Sequence, residues 1–143
     1  MSSPIDRARR LARTAHQAED VAAAELQQAN RRLREADDDY RRALERSADL
    51  AATPLAPGLR GLLVTSGARA QATLAAERDE LLSEAGERRR RWDEARTRTR
   101  SMEKLVERAV RQRTERRLAA ELAELGDVIA ARAALAMTGT AGR

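Results

Sequence analysis

The residues that could carry chemistry are few, and their spacing works against it. The one histidine is His16. Without a second His or a Cys it cannot anchor a typical zinc site, and Glu19 and Asp20 beside it read as ordinary helix-surface groups. The run Asp37-Asp38-Asp39 has the composition of a metal cluster but not its geometry, because consecutive helix positions fan around the axis and cannot converge on one ion. The seven glycines lie in a turn, in the C-terminal tail, or singly at Gly67, Gly86 and Gly126, and none belongs to a phosphate-cradling Gly-x-x-x-x-Gly-Lys loop. Cysteine is absent, which removes disulfides and thiolate metal sites. The sequence therefore reads as a non-enzyme that needs no cofactor or metal.

Arginine is the remaining chemically assertive residue. Twenty-seven of the 28 basic residues are Arg, with Lys104 the exception. Residues 1–50 balance ten Arg against ten acids, whereas residues 88–117 carry 13 basic and 5 acidic side chains, a local charge of +8 within a net +5. Arg88-Arg89-Arg90-Arg91 and the stretch to Arg117 could bind nucleic acid through phosphates. Asp93, Glu94, Glu103, Glu107 and Glu115 interrupt that stretch, and it lacks the aromatic side chains on which single-stranded bases stack. Nucleic acid is not the expected partner. A generic helical scaffold, or a coiled coil associated with nucleic acid, is the alternative reading.

The elements that would position these groups are helices. Phe is absent and Trp92 and Tyr40 are the only aromatics, so the large side chains that dominate globular cores are missing. Ala, Leu, Arg and Glu take their place, and all favour helix. Ser3-Pro4-Ile5-Asp6 reads as a helix start, with Ser3 as cap, Pro4 in the first turn and Asp6 at the positive end of the helix dipole. Ile5, Ala8, Ala12, Ala15, Glu19, Ala22, Leu26, Ala29, Leu33, Ala36, Tyr40, Ala43, Ser47 and Leu50 then recur three and four residues apart. Twelve of these fourteen are apolar, and the 3.5-residue repeat is that of a left-handed coiled-coil seam.

Thr53-Pro-Leu-Ala-Pro-Gly-Leu-Arg-Gly61 ends that helix and turns the chain. Leu62-Leu63-Val64 is a small apolar patch placed to pack over the turn. A second helix, capped by Thr65 or Ser66, carries the seam Leu74, Arg78, Leu81, Ala85, Arg88, Trp92, Ala95, Thr99, Met102, Val106 and Ala109. Arg78, Arg88 and Thr99 interrupt this seam and make it weaker than the first, but Arg stems can cover apolar surface while their heads reach water, so the interruptions are tolerable. The predicted fold is all-α: one domain over 1–143, a long antiparallel two-helix coiled-coil hairpin with the second helix overhanging the first. The helices are expected over about 4–52 and 66–137, with a turn over 53–65 and a flexible tail over 138–143. Facing positions should sum to about 118, which sets Ile5 opposite Arg113 and Tyr40 opposite Arg78. Tyr40 either fills the seam there or protrudes as a contact residue.

Residues 111–117 contain nothing apolar, which marks the end of the pairing. Beyond them Leu118, Leu122, Leu125, Val128, Ile129, Ala133 and Ala136 resume an apolar pattern with no first helix left to cover it, and Gly126 within it could mark a bend. A partner protein is favoured over self-association. The candidate partner-binding residues are therefore Leu118, Leu122, Leu125 and Ile129, with Arg111, Arg113, Arg116 and Arg117 beside them and Tyr40 apart from them. The N-terminal residues lack the apolar stretch of a secretory signal, and no run approaches the ~20 apolar residues of a membrane span. A cytoplasmic protein is expected.

At Trp92, at Met102-Glu-Lys-Leu-Val-Glu-Arg108, at Arg111-Gln-Arg-Thr-Glu-Arg-Arg-Leu118 and at Glu121-Leu-Ala-Glu-Leu-Gly-Asp127, the sequence resembles the FliJ family of bacterial flagellar type III export proteins. The likeness of architecture covers nearly the whole chain: a helix of about 50 residues, a Pro/Gly turn, then a longer helix. It implies a fold similar to the central stalk of rotary ATPases. It also implies docking into the hexameric export ATPase, contact with the export gate protein at the membrane, and work alongside export chaperones. Location in the cytoplasm, peripheral to the inner face of the cell membrane, follows from the same resemblance.

Overall fold

A computed structural model describes residues 2–141. It consists of two long α-helices packed against each other as a hairpin, α1 (Pro4–Ala52) and α2 (Pro57–Ala141). Helix α1 opens as its sequence indicates. The Asp6 backbone N–H donates to Ser3 Oγ at 3.1 Å, and Ser3 Oγ donates to Asp6 Oδ2 at 2.8 Å. This reciprocal capping occupies amide groups that the first helical turn leaves without partners. The Ser3 hydroxyl and then the Ser3 backbone N–H hold the Asp6 carboxyl below its ordinary value of 3.8. A depressed folded-state value favours the capped helix at higher pH, and that contribution fades as pH falls below the ordinary value.

The turn is shorter than the sequence suggests. Helix α2 begins at Pro57 rather than near residue 66. Proline suits a first helical position, where its missing N–H would have no intrahelical partner and its φ is already helical. Gly58 and Gly61 follow inside the helix, with no glycine at positive φ among the described residues. Thr65 is not a cap: its hydroxyl bonds back to the Gly61 carbonyl at 2.9 Å. Arg60 makes the connection the sequence reading missed, reaching back to the carbonyls of Ala51 (3.5 Å) and Thr53 (3.0 Å). A guanidinium there satisfies carbonyls at the negative end of α1. Leu63 is half-buried beside Leu50, Ala51 and Leu55, while Leu62 and Val64 stay exposed, so only part of the predicted patch packs over the turn. At its other end α2 continues past Met137 to Ala141, with the Thr138 hydroxyl bonded to the Leu135 carbonyl at 3.0 Å. Of the tail predicted over 138–143, residues 138–141 are thus helical and 142–143 lie outside the described residues.

Among the described residues two compact units can be distinguished: Thr14–Thr99, and residues 2–13 together with 100–141. In the first unit Ala15, Ala22, Ala29, Ala36 and Ala43 are buried and recur every seven residues. Leu26, Leu33 and Tyr40 alternate with them, half-buried. A row of methyl groups lets two helices approach closely, since interaxial distance is set by the side chains at the contact. Ala85, Ala95 and Thr99 are the buried positions of α2 in this unit. Thr99 fits because its hydroxyl is satisfied by the Ala95 carbonyl at 3.0 Å, leaving no stranded polar group.

Polar side chains fix the register between these methyl layers. Gln71 donates to Ser47 Oγ, and the Arg78 guanidinium lies 4.5 Å from the centroid of the Tyr40 ring. Both pairs sum to 118 (47 with 71, 40 with 78), the expected antiparallel register. Arg88 donates to Glu25 at 2.8 Å and lies 3.9 Å from Glu84, which also sits 3.9 Å from Arg32. The seam arginines Arg78 and Arg88 are thus half-buried and have charge partners on both helices.

Gly86 lies exposed in the middle of α2, and nothing lies within 4 Å of where its Cβ would be. Glycine in a helix interior costs roughly 0.5–1 kcal/mol relative to alanine. Gly86→Ala should therefore raise hairpin stability by about that much, measured as a higher urea midpoint at constant slope.

In the second unit, Ile5, Ala8 and Ala12 of α1 are buried, and Met102, Val106 and Ala109 of α2 are half-buried. Ile5 and Arg113, whose numbers also sum to 118, line one groove at the start of α1. From Val110 to Gly139 every residue of α2 is exposed. The overhang expected of the second helix is present.

Candidate functional site

The site begins where α1 gives out. Pro4 is the first residue of α1, and opposite it α2 presents Ala109, Gln112, Arg113 and Arg116. Together they form an open groove of about 530 Å³ that also includes Asp6 and Arg9. Three guanidiniums against one carboxylate leave the groove positive, and that carboxylate is already engaged by Ser3. Helix α2 then runs on alone. The sequence maintains it with strong helix formers, Ala, Leu, Glu and Arg, across residues 116–125, and Gly126 sits within the helix without ending it.

Four of the predicted apolar residues lie together on this bare length. Leu118 is 54% exposed, Leu122 68%, Leu125 57% and Ile129 63%. Their three- and four-residue spacing puts them on one face. Val128, Leu135 and Met137 are exposed as well. Leu135 and Met137 were missed from sequence because they fall off the three- and four-residue spacing that leads through Ala133 and Ala136. Burying a Leu or Ile is worth roughly 1.5–3 kcal/mol, so a contiguous set of them strongly favours a covered state. Exposed apolar clusters of this kind mark interaction surfaces.

The predicted basic residues divide in role. Arg113 and Arg116 line the groove at the start of α1. Arg111 is exposed on another side of the helix. Arg117 pairs with Glu121 one turn on, at 3.5 Å, with both side chains largely in water. Such an i,i+4 pair supports the helix by a few tenths of a kcal/mol at most. Its charge remains accessible to a partner.

Tyr40 does not join this set. It belongs to the Thr14–Thr99 unit, half-buried in the seam under Arg78, whose Nε lies 3.9 Å from Asp37. Of the two placements open to it from sequence, the structure has the seam. Trp92 is similar, half-buried with the Arg96 guanidinium 5.2 Å from its ring.

Among the described residues no group of three or more His, Cys, Asp or Glu side chains converges as metal ligands would, and no helix is long and apolar enough to cross a membrane. No protein-family pattern, characterised protein or solved structure matches the chain. What the geometry offers is a helical hairpin with a bare, basic-then-apolar helical extension.

Proposed function

We propose that this chain is a non-catalytic component of the bacterial flagellar type III export apparatus. In this reading it binds the hexameric export ATPase as a stalk, through residues 118–136 of α2 with the arginines at 111–117 just before them. It serves flagellum assembly alongside export chaperones and the membrane export gate, as a cytoplasmic protein held peripherally at the inner face of the membrane. The observation that carries the reading is the extension itself. A helix extending past its partner with four exposed aliphatic side chains and a basic lead-in has the properties needed of a shaft held inside a ring. An amphipathic helix laid into an apolar groove is a common recognition mode, and the arginines at its base would steer it toward acidic groups on the ring.

The test uses purified export ATPase and two forms of this chain, full length and truncated after Arg117. The full chain should bind. The truncated chain should lose binding while keeping its melting temperature, because the removed residues lie beyond the last half-buried contact at Ala109. Binding that survives truncation would overturn the assignment, and so would a hairpin that unfolds with it.

A further inference from the structure

The apolar face of the extension is not a leftover of the hairpin seam. At about 100° per residue, Leu118, Leu122, Leu125 and Ile129 centre roughly 160° around α2 from Met102, Val106 and Ala109. They face away from the side on which α1 packs. They form a second seam with its own heptad frame, flanked one heptad step before by Glu115 and one after by Arg132. Glu115, Leu118, Leu122, Leu125, Ile129 and Arg132 are all exposed. Neither charged residue makes an ion pair among the described residues.

This frame reads the same in both directions. Pairing positions that sum to 247 places Leu118 against Ile129 and Leu122 against Leu125, and it also places Glu115 against Arg132. In an antiparallel pair of identical helices every one of these matches occurs twice, related by a two-fold axis between residues 123 and 124. A parallel pair would instead set Glu115 against Glu115 and Arg132 against Arg132, which like-charge repulsion disfavours. Self-complementary, two-fold contacts are the commonest way for one chain to pair with itself.

We infer that the second seam of α2 is a self-association surface, on which a second copy of this chain docks antiparallel through Leu118, Leu122, Leu125 and Ile129, its register set by reciprocal Glu115–Arg132 pairs. This does not rest on the export reading, since it uses only the chain's own complementarity. It does compete with that reading for the same face. A dimer would keep the aliphatic side chains covered until a partner displaced the second copy.

Sedimentation equilibrium of the full chain tests this, with thermal melts run in parallel to confirm that each variant keeps its hairpin. The wild-type chain should dimerise reversibly. Glu115→Arg alone, or Arg132→Glu alone, should weaken the dimer on the order of tenfold, because each converts two attractive pairs into two repulsive ones. The double exchange, Glu115→Arg with Arg132→Glu, should restore it. A wild-type chain monomeric at every concentration would overturn the inference. Single reversals without effect, or a double exchange that fails to restore pairing, would overturn the antiparallel register. Orientation has a separate reading, because the chain contains no cysteine. A mixture of Glu115→Cys and Arg132→Cys chains should oxidise to the mixed disulfide, with neither variant cross-linking to itself. Self-cross-linking of each variant would show parallel pairing.

Discussion

Ala29→Asp should destabilise the hairpin by about 3 kcal/mol or more, the scale of leaving a charge buried without a partner. Ala29 is the most buried alanine of the Thr14–Thr99 unit, at 4% exposure. It belongs to the row of methyls at Ala15, Ala22, Ala29, Ala36 and Ala43 along which α2 packs. A carboxylate there must either lose its water or push the helices apart, and parting them uncovers Leu26 and Leu33 on either side. Ala29→Leu should also destabilise, by about 1–3 kcal/mol, because a close-packed row has no space for three added carbons. Gln28→Asp, one position away and exposed, is the control and should change little. Urea denaturation followed by circular dichroism gives all three values. Equal, small effects at residues 28 and 29 would mean that the methyl row does not hold the helices together.

That row illustrates what the sequence displays openly. A seam repeating every 3.5 residues leaves its period in the order of residue types, and all fourteen α1 positions picked out by that period are buried or half-buried. Register was legible for a related reason. A hairpin has one sum for facing residues, and the breaker-rich stretch over 53–65, centred on residue 59, gives the 118 seen for Ser47 with Gln71 and Tyr40 with Arg78. The start of α2 was less legible because Pro and Gly carry two meanings. Proline ends one helix and is equally suited to open the next, so the same residues served as terminator and as first turn. Arg60 was illegible because its acceptors are backbone carbonyls of α1, and carbonyls carry no residue identity. The network of Glu25, Arg88, Glu84 and Arg32 was hidden because its pairs do not share one sum: long side chains reach across more than a turn. The division into two units was likewise not visible, since one uninterrupted heptad pattern crosses it. Of the candidate site, the aliphatic stripe was readable from spacing alone. Whether Tyr40 fills the seam or protrudes was not, because a lone ring among alanines fits a seam and a surface equally well by pattern.

Tyr40→Ala should therefore act on stability, costing about 2 kcal/mol. Full removal of a buried aromatic costs roughly 3–5 kcal/mol, and Tyr40 is only half-buried. The ring is half-buried in the seam, with the Arg78 guanidinium 4.5 Å from its centroid. Cation–π contacts at partly solvated sites are worth roughly 0.5–1 kcal/mol. A double-mutant cycle separates the two contributions. Arg78→Met keeps an apolar stem of similar reach while removing the charge, both over the ring and beside Asp37, 3.9 Å away. Coupling between Tyr40→Ala and Arg78→Met of about that cation–π size would assign the contact to the ring and charge together. Tyr40→Phe should keep most of the stability, because the ring face and not the hydroxyl meets the guanidinium. If Tyr40→Ala instead leaves the urea midpoint unchanged, the ring contributes nothing to the seam. Tyr40 would then stand as a surface residue whose contribution is made to a partner.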